Sequence, residues 1–468
     1  MRELRLIMKF GGTSVADGDR IESVSKIVQK ESAKNEIVVV TSAMDSTTDY
    51  LIELAERANR GEIADDSIKN IQENHEAAIR KAIPNLEIQK RVLEDVLELI
   101  SQLRNAITGV SILKELTPRS SDHITSFGER LVAPILAGAL ENIGLRANHL
   151  TGGEAGILTD DVFGEATPLM KSTKQMVRNV LNPLLDDEVI PVITGFIGVT
   201  QQGEISTIGR GGSDYTATIL GSCLDADEIW IWSDVDGLMT ADPRIVSQAK
   251  VITELSYAET SEMALMGAKG MHPRALEPAK HNSIPIKMKN SFNTSASGTM
   301  ISKEIRVHNS EVAKAVASIK DLAMIGISGM SMVGKPGMAA EIFGILGRNG
   351  INIIMISQSI SEANITFIVK RSHLPKALSV LEIGLLGKGS VNDIIFEDDI
   401  SVISIVGAGM KGSPGVASRL FRAISEKGIN VSMIAQGSSE LNISFAVKES
   451  DCDYATNLVH DEFNMAGN

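Results

Sequence analysis

The chain has 468 residues, enough for about three domains at roughly 150 residues each. Its net charge of −14 excludes a general nucleic-acid binder, which needs a basic face for the phosphates. Two cysteines, Cys223 and Cys452, are far apart in sequence, so we expect small core residues rather than a disulfide or CxxC site. No apolar run approaches the ~18 residues of a membrane span, and we expect a cytoplasmic protein with no membrane partner.

The first part of the chain alternates short Val- and Ile-rich runs with long amphipathic stretches. Residues 36–44, 189–199 and 227–235 have the composition of buried strands, and residues 67–112 carry apolar side chains at helical spacing. This alternation predicts an α/β domain with a mainly parallel sheet. Because ligands bind at the carboxyl ends of such strands, the small and polar residues that follow each run are candidate site residues.

The last third of the chain repeats itself. Residues 325–370 align without a gap on residues 403–448, and each copy predicts strand, glycine-proline turn, helix, strand and strand. A further helix and strand after the first copy complete a ferredoxin-like βαββαβ unit. The second copy ends without its fourth strand, while an apolar segment, residues 312–319, precedes the first copy. We therefore predict that this segment completes the second unit and that the first unit is inserted within it.

One glycine pattern in the repeat is misleading. Gly407, Gly409 and Gly412 fit the GxGxxG dinucleotide fingerprint after a strand. The corresponding positions of the first copy include Ser331, so the pattern is half lost while the fold signal persists. A dinucleotide site is therefore not favoured.

Four loops carry residue types that packing does not require: KFGGTS from Lys9, IGRGGSDYTA at 208–217, WSDVDGLMTADPR at 232–244 and MGAKGMHPRALEP at 266–278. Each alone is explained by a solvated turn, but four at predicted strand ends favour one common site. Glycines let backbone N–H groups converge on an anion, and a helix start adds its dipole. The Walker A pattern is absent from the sequence, which excludes a P-loop enzyme.

The motifs KFGGTSV, SFGER, TGFIG, GRGGSDYTA, WSDVDG, DPR and AKGMHPR, with the repeated units, resemble the aspartate kinase family over essentially the whole chain. The resemblance implies a three-layer α/β/α amino-acid-kinase fold with a mainly parallel sheet, followed by two ferredoxin-like βαββαβ ACT domains. It implies domain limits of 1–302 for the catalytic domain, 320–398 for the first ACT domain, and 303–319 plus 399–468 for the second. The implied reaction is phosphoryl transfer from ATP, with Mg²⁺, to the side-chain carboxylate of L-aspartate. Its product, 4-phospho-L-aspartate, is the first intermediate toward lysine, threonine and methionine.

The residue types suit this reaction. The nucleophile is a carboxylate, already ionised at neutral pH, so no general base is needed and His123 and His272 are expected to be structural. Catalysis rests on bringing an anion against a polyanion, through positioning and cations. The resemblance implies that Lys9 and Lys269 neutralise the phosphoryl oxygens and that Asp214 orients Lys9. We expect Mg²⁺ to bridge the nucleotide, with no protein metal ligand assigned.

The resemblance also implies the binding residues. Arg210 can hold a substrate carboxylate bidentately, and Glu129 suits the substrate ammonium. The full aspartate-binding set is Ser42, Thr48, Glu129, Arg210, Gly211, Gly212 and Ser213. The nucleotide-binding set is Lys9, Phe10, Gly11, Gly12, Ser233, Asp234, Met239, Asp242, Arg244 and Lys269. The effector-binding set is Gly334, Gly337, Met338, Ala339, Asn352 and Gln358.

Regulation is expected at the ACT units, which commonly pair across subunits, so we expect a homodimer or higher oligomer. The neutral run Ser357-Gln358-Ser359 favours threonine over lysine as the effector. Three positions depart from the family pattern: Asp49 replaces an asparagine, Met239 an aromatic residue, and KGMHP stands for KVLHP. None removes a charge that the chemistry needs.

Two alternatives remain open at this point. One is another amino-acid kinase, acting on glutamate, acetylglutamate or a nucleotide; the other is a catalytically dead ACT sensor of amino acids. A fused homoserine dehydrogenase is not expected, because 468 residues leave no room for a second catalytic domain. Formation of ADP that depends on L-aspartate separates these readings.

Overall fold

The computed structural model describes residues 3–62, 65–267, 270–303, 312–360, 363–387 and 391–465. None of the helices in these ranges combines the length and apolar character needed to cross a bilayer. The chain forms two compact units. The first consists of Met1–Leu238, Thr253–Tyr257 and Gly270–Ile305, and the second of Met239–Ile252, Ala258–Lys269 and Arg306–Asn468.

In chain order, the elements up to residue 303 are β1 (Arg5–Phe10), α1 (Gly18–Ser32), β2 (Glu36–Thr41), α2 (Thr47–Asn59), α3 (Asp65–Ala82), α4 (Leu86–Leu113), α5 (Pro118–Thr125), α6 (Phe127–Asn142), β3 (Ala147–Leu150), β4 (Leu158–Thr159), α7 (Met170–Asp186), β5 (Ile190–Thr194), β6 (Ile197–Thr200), β7 (Ile205–Thr207), α8 (Gly212–Leu224), β8 (Glu228–Ser233), β9 (Glu254–Ser256), α9 (Tyr257–Leu265), α10 (Pro273–Asn282), β10 (Ile286–Asn290) and β11 (Thr299–Ser302). From residue 312 they are β12 (Ala315–Ser328), α11 (Met338–Arg348), β13 (Met355–Gln358), β14 (Asn364–Lys370), α12 (Leu374–Leu381), β15 (Asp393–Val406), α13 (Val416–Ser425), β16 (Met433–Ala435), β17 (Asn442–Lys448) and α14 (Cys452–Glu462).

The main sheet of the first unit has the strand order β3-β5-β2-β1-β8-β10-β11-β9 within the described ranges. Strand β1 pairs in parallel with β2 and β8, and β8 pairs in parallel with β10. The parallel pairing brings the carboxyl ends of these strands to one edge of the sheet. The residues at that edge are Phe10, Thr41, Thr194, Ser233 and Asn290.

Helices cover both faces of this sheet, which confirms the predicted three-layer fold. Leu6, Met8 and Phe10 of β1 belong to a core shared with helices α1 to α4 and α6. Ile7 lies on the opposite face, where a Cβ on Gly221 of α8 would be 3.6 Å from its side chain. Because side chains alternate along a strand, Lys9 shares the face of Ile7 and points toward α8.

The strands predicted at 36–44 and 227–235 are present with shorter bounds, as β2 and β8. The single strand predicted at 189–199 is instead two strands, because the chain turns at Phe196, whose φ is 67°: β5 belongs to the main sheet, and β6 pairs with β4 and β7. The single amphipathic stretch predicted at 67–112 is two helices, α3 and α4. Pro84 interrupts it, because a proline disfavours helical backbone at the residue before it. Asn85 then starts α4, since its side chain accepts hydrogen bonds from the N–H groups of Glu87 and Ile88. Cys223 and Cys452 are both free and buried.

The repeat is visible in the geometry of the second unit. Its sheet has the order β13-β14-β12-β15-β17-β16 among the described strands, and every pairing is antiparallel. Gly337 and Gly415 precede the helices α11 and α13 with φ of 90° and 88°. The edge-to-face pair Phe343–Phe367 recurs as Phe421–Phe445, with ring centroids 6.2 and 5.9 Å apart. The two copies therefore repeat in backbone and in core packing.

Strand β12 belongs to both copies of the repeat. Its first part, Ala315 to Ile319, pairs with residues 402–406 of β15, which in turn pair with β17 of the second copy. Its second part, from Leu322 to Ser328, pairs with β14 of the first copy. One continuous strand thus contributes to the sheets of both repeats.

Candidate active site

Lys9 lies at the carboxyl edge of the main sheet, one residue before the end of β1. Its Nζ is 2.6 Å from Oδ1 of Asp214, and the two side chains are 12% and 13% exposed. Asp214 stands in the first turn of α8, where the helix dipole favours a negative charge. Gly211 enters this helix with a φ of 71°, a conformation that suits glycine. The structure therefore joins the KFGG and GRGGSD motifs through an ion pair.

The two glycines after β1 allow neighbouring loops to approach closely. A Cβ on Gly12 would lie 2.9 Å from the carbonyl oxygen of Ala43, so this position requires glycine. The N–H of Gly11 donates to the carbonyl oxygen of Trp232 at 3.0 Å. The N–H group of Gly11 is therefore already hydrogen-bonded within the sheet. Gly11 contributes space at this edge of the sheet rather than an additional hydrogen-bond donor for a ligand.

Glu129 is a buried carboxyl group, 4% exposed, in the first turn of α6. Its Oε2 atom has no hydrogen-bond partner among the described residues. Burial raises its pKa to about 8, although hydrogen bonds from its own backbone and that of Ala43 and the charge of Lys9 act in the opposite direction. The group thus lies within electrostatic reach of Lys9 and retains an unsatisfied acceptor.

Two further residues of the predicted aspartate set lie in the loop after β2 and the helix that follows. A Cβ on Gly128, the neighbour of Glu129, would be 3.2 Å from Oγ1 of Thr48. The N–H of Ser42 donates to the carbonyl oxygen of Phe10 at 3.1 Å. The structure thus brings Thr48 next to the SFGER motif and Ser42 next to the end of β1.

Arg210 is exposed, and its side chain makes no ion pair or hydrogen bond with the described parts of the chain. It lies between Gly209 and Gly211, both with positive φ. Ser213 of the same loop contacts the TGFIG motif, since a Cβ on Gly195 would be 2.5 Å from its Cβ. The guanidinium group is therefore available on a loop whose other members are packed.

The residues of the predicted nucleotide-binding set lie in different parts of the chain. Ser233 is the last residue of β8 and Asp234 follows it, both in the first unit. Asp242 and Arg244 belong to the second unit, where Nε of Arg244 donates to Asp242 at 3.0 Å, and Met239 forms a backbone bridge to Val251. Lys269 lies outside the described residues.

The predicted effector residues do not form one cluster within the chain. Gly334, Gly337, Met338 and Ala339 surround the start of α11. Gln358 is at the same end of the sheet, because it pairs with Ile365 beside the end of β12. Asn352 is at the opposite end, where it lines a cavity of about 860 Å³ with Ile354 and Arg371.

Sequence reasoning missed two hydroxyl groups at the carboxyl edge. Oγ of Ser14, which is 1% exposed, is 2.8 Å from Oγ of Ser291. The two residues are 277 positions apart, and no pattern in the sequence links them. The two histidines act structurally: His272 caps α10, and His123 packs edge-on against Phe127.

Comparison with known proteins defines the class first. The model of the amino acid kinase family matches residues 4–290. The model of an ACT domain matches residues 325–383 and again residues 403–463. The chain is therefore an amino-acid-kinase region followed by paired ACT sequences.

Curated relatives narrow this class. "Aspartokinase 1, chloroplastic" of Arabidopsis thaliana is 32% identical, over 98% of this chain and 80% of its own length. A bifunctional aspartokinase/homoserine dehydrogenase of Zea mays is also 32% identical over 98% of this chain, which spans about half (50%) of that protein. The chain belongs to the amino acid kinase family, and within it to the aspartokinases.

Solved structures agree over the whole fold. E. coli aspartokinase III in complex with aspartate and ADP superposes with a TM-score of 0.82 at 27% identity, covering 98% of this chain and 99% of that one. The same enzyme in complex with lysine and aspartate gives a TM-score of 0.80 at 28% identity, with the same coverage.

Proposed function

We propose that the chain is an ATP-dependent aspartate kinase, which transfers the terminal phosphoryl group of ATP to the side-chain carboxylate of L-aspartate. The observation that carries the proposal is the buried carboxyl group of Glu129, whose Oε2 atom has no partner among the described residues and which lies within electrostatic reach of Lys9. This arrangement offers an acceptor for an ammonium group next to a cation for phosphoryl oxygens. The names of the curated relatives and the aspartate and ADP in the E. coli structure support the same reaction.

The chemistry needs no proton transfer. An oxygen of the aspartate carboxylate attacks the γ-phosphorus, the bond to the ADP oxygen breaks, and ADP leaves with the electron pair. The protein contributes position and charge. Lys9 neutralises the developing phosphoryl charge, Asp214 holds Lys9 in place, and Arg210 and Glu129 fix the α-carboxylate and the ammonium of the substrate.

We further propose that Mg²⁺ arrives with the nucleotide. The described residues contain no group of three or more His, Cys, Asp or Glu side chains able to hold a metal. Such a cage is not required, because Mg²⁺ in phosphoryl-transfer sites is bound largely by substrate phosphates and water. Its role would be to bridge phosphate oxygens and neutralise their charge.

The remaining site assignments stay proposals of the same kind. Ser42, Thr48 and Ser213 would frame the amino acid, as would Gly211 and Gly212. The nucleotide contacts would be Phe10, Gly11, Gly12, Ser233, Asp234, Met239, Asp242, Arg244 and Lys269. The insertion of the first ACT domain (320–398) within the second (303–319 with 399–468) is supported by the pairing of residues 315–319 with 402–406. The limits 1–302 of the catalytic domain stay a proposal, since residues 239–252 and 258–269 group with the second compact unit. A cytoplasmic location stays a prediction of the sequence.

We propose feedback inhibition by an amino acid at the ACT units, in a homodimer. Strands β13 and β16 are the outer strands of the six-stranded sheet, and their residues Ile356 and Ile434 are 45% and 47% exposed. Such edges invite pairing with another chain, and pairing would join the effector residues that a single chain holds apart. Threonine is favoured by the neutral run around Gln358, whereas the E. coli structure with lysine supports lysine.

The test is formation of ADP by the purified chain with ATP and Mg²⁺. We expect ADP formation that requires L-aspartate and that L-glutamate and UMP do not replace. Formation of an acyl phosphate is checked in the same reaction by trapping with hydroxylamine. A chain that binds amino acids but forms no ADP would instead be a sensor, and one active on glutamate or UMP a different kinase of the family.

A further inference from the structure

Four consecutive residues at the end of β10, Asn290 to Asn293, connect three elements at the carboxyl edge of the main sheet; we call them the β10 clasp. The sequence analysis assigned them no role, and none belongs to the substrate or nucleotide sets. Asn290 is 8% exposed and Ser291 is partly buried, while Phe292 and Asn293 are exposed.

Ser291 bonds to the loops that follow β1 and β8. Its N–H and its Oγ both approach the carbonyl oxygen of Ser233, at 2.9 and 3.1 Å. Its Oγ is also 2.8 Å from Oγ of Ser14 in the turn after β1. A carbonyl oxygen only accepts, so Ser291 donates to Ser233 and accepts from Ser14. One hydroxyl group therefore links the turn after Gly11 and Gly12 to Ser233, the last residue of β8 before the WSDVDG loop.

The other residues of the β10 clasp contact the loop after β8 and the start of α1. Nδ2 of Asn290 donates to Oδ1 of Asp236 at 2.8 Å, and Nδ2 of Asn293 reaches the same oxygen at 3.2 Å. Phe292 lies under the guanidinium group of Arg20 in α1, 4.0 Å from the ring centroid. The clasp thus fastens the loop after β8 at two points and the start of α1 at a third.

We infer that Ser291 is a positioning residue that fixes the spacing between the glycine turn after β1 and the loop after β8, and through it the binding of ATP. The inference rests on the proposed function, in which these two loops meet the nucleotide. Residues of the aspartate set lie in other loops, after β2, at α6 and before α8. Loss of the Ser291 hydroxyl should therefore affect ATP far more than aspartate.

The burial of Ser14 makes this link costly to break. Buried polar groups almost always have a partner, and Ser291 Oγ is the acceptor available to the hydroxyl of Ser14. Substitution of Ser291 by alanine leaves that hydroxyl unpaired, so the turn after β1 is expected to shift to regain a partner. A general loss of stability would instead act on both substrates alike.

The experiment compares Ser291→Ala, Ser14→Ala and the double variant with the wild-type chain. We expect each single variant to raise KM for ATP about tenfold, the size of one lost hydrogen bond, with KM for aspartate within about twofold. Because Ser291→Ala already removes the bond to Ser14, the double variant should be no worse than Ser291→Ala alone. Ser291→Thr, which keeps the hydroxyl, should restore most of the ATP affinity.

Ser25→Ala is the matched control. Ser25 is also 1% exposed, but its hydroxyl donates to the carbonyl oxygen of Ile21 within α1. Its loss should leave KM for ATP unchanged. Equal changes in both KM values, additive single effects, or no recovery in Ser291→Thr would overturn the inference.

The test of the Ser291 inference can fail independently of the test of the proposed function. If the wild-type chain forms no ADP with aspartate, the proposed function fails, and the clasp is tested by calorimetric titration with ADP and Mg²⁺. In that titration Ser291→Ala should bind about tenfold more weakly, and an equal Kd would overturn the clasp. Normal activity with an unchanged KM for ATP would reject the clasp alone.

Discussion

Single charges at the carboxyl edge of the sheet decide what the site can bind. Lys9 and Asp214 form a nearly buried ion pair, whereas Arg210 and Glu129 are left with binding capacity unused among the described residues. Phosphoryl transfer depends on such preorganised charge. We therefore expect these side chains to serve the substrate rather than the fold.

Lys9→Met should abolish turnover while the secondary structure is retained. Loss of one cation that stabilises the transition state costs about 10² to 10³ in rate. The measurement is kcat with saturating ATP and aspartate, next to circular dichroism. Lys26→Met removes an exposed lysine that pairs with Glu22 in α1 and should be without effect. Near wild-type kcat in the Lys9 variant would refute the role of Lys9.

Arg210→Ala should raise KM for aspartate far more than KM for ATP, because its proposed partner is a substrate carboxylate. Arg210→Lys keeps the charge but loses the planar fork, so it should fall between alanine and the wild type. Steady-state kinetics with each substrate varied in turn decides the point. Equal effects on both substrates would mean that Arg210 serves the phosphates.

The raised pKa of Glu129, about 8, gives the enzyme a pH dependence with a definite sign. Below that pH the free enzyme holds a neutral carboxyl group, which attracts an ammonium group weakly. kcat/KM for aspartate should therefore rise with pH and level off above about 8, and Glu129→Gln should flatten this rise. A rise that persists unchanged in Glu129→Gln would assign it to another group.

The same shift acts on folding in the opposite direction. Between the ordinary carboxyl pKa and about 8, the folded state holds a proton that the unfolded state has lost. The stability of the ligand-free protein therefore decreases as the pH rises through this range. Thermal melts of the wild type and Glu129→Gln should converge at the acid end of the range and separate at the alkaline end.

At the scale of secondary-structure elements, the sequence predicted the strands and helices that depend on residues close together in the chain. The buried strands β2, β5 and β8 follow from Val- and Ile-rich runs, and Lys9 was predicted as a site residue because its motif lies at the end of a strand. The break between α3 and α4 was missed, although Pro84 and Asn85 carry local signals for it. The Ser14–Ser291 contact was not predictable, because it joins residues 277 positions apart whose proximity depends on the order of the strands.

Gly128→Ala tests how closely α6 must approach the loop after β2. A Cβ there would be 2.8 Å from Cβ of Ala43 and 3.2 Å from Oγ1 of Thr48. The helix must shift, and Glu129 with it, so KM for aspartate should rise about tenfold or more while stability falls by about 1–3 kcal/mol.

Gly109→Ala is the control for this substitution. Gly109 is in α4, and a Cβ there meets nothing within 4 Å. Helix propensity alone should then stabilise the chain by up to about 1 kcal/mol, with kinetics unchanged. Unchanged aspartate kinetics in Gly128→Ala would mean that the close approach has no role in the site.

At the scale of the whole molecule, regulation requires that an effector bind an inactive state better than the active one. The proposed effector residues lie at both ends of the first ACT copy, with Gln358 at one end and Asn352 at the other. An amino acid touching both sets would therefore bridge two chains. Inhibition by the effector and association of two chains are therefore expected to be coupled.

Gln358→Ala should relieve threonine inhibition about tenfold, the size of one or two lost hydrogen bonds, with kcat preserved. Inhibition curves are measured with threonine and with lysine, for the wild type and the variant. They identify the effector and test whether Gln358 belongs to its binding site. Inhibition of the wild type by lysine alone would overturn the preference for threonine. An unchanged threonine response in the variant would remove Gln358 from the site.

The sharing of β12 between the repeats has a consequence for biosynthesis. Residues 315–319 leave the ribosome between 83 and 91 residues before their partners in the sheet, residues 402–406. At roughly 5–20 residues per second, this apolar strand has an open edge for roughly 4–18 s. The inserted first copy can close during that interval, whereas the second closes only after its last strand is made. The nascent chain therefore exposes an aggregation-prone edge, and a chaperone that covers it would act at this stage.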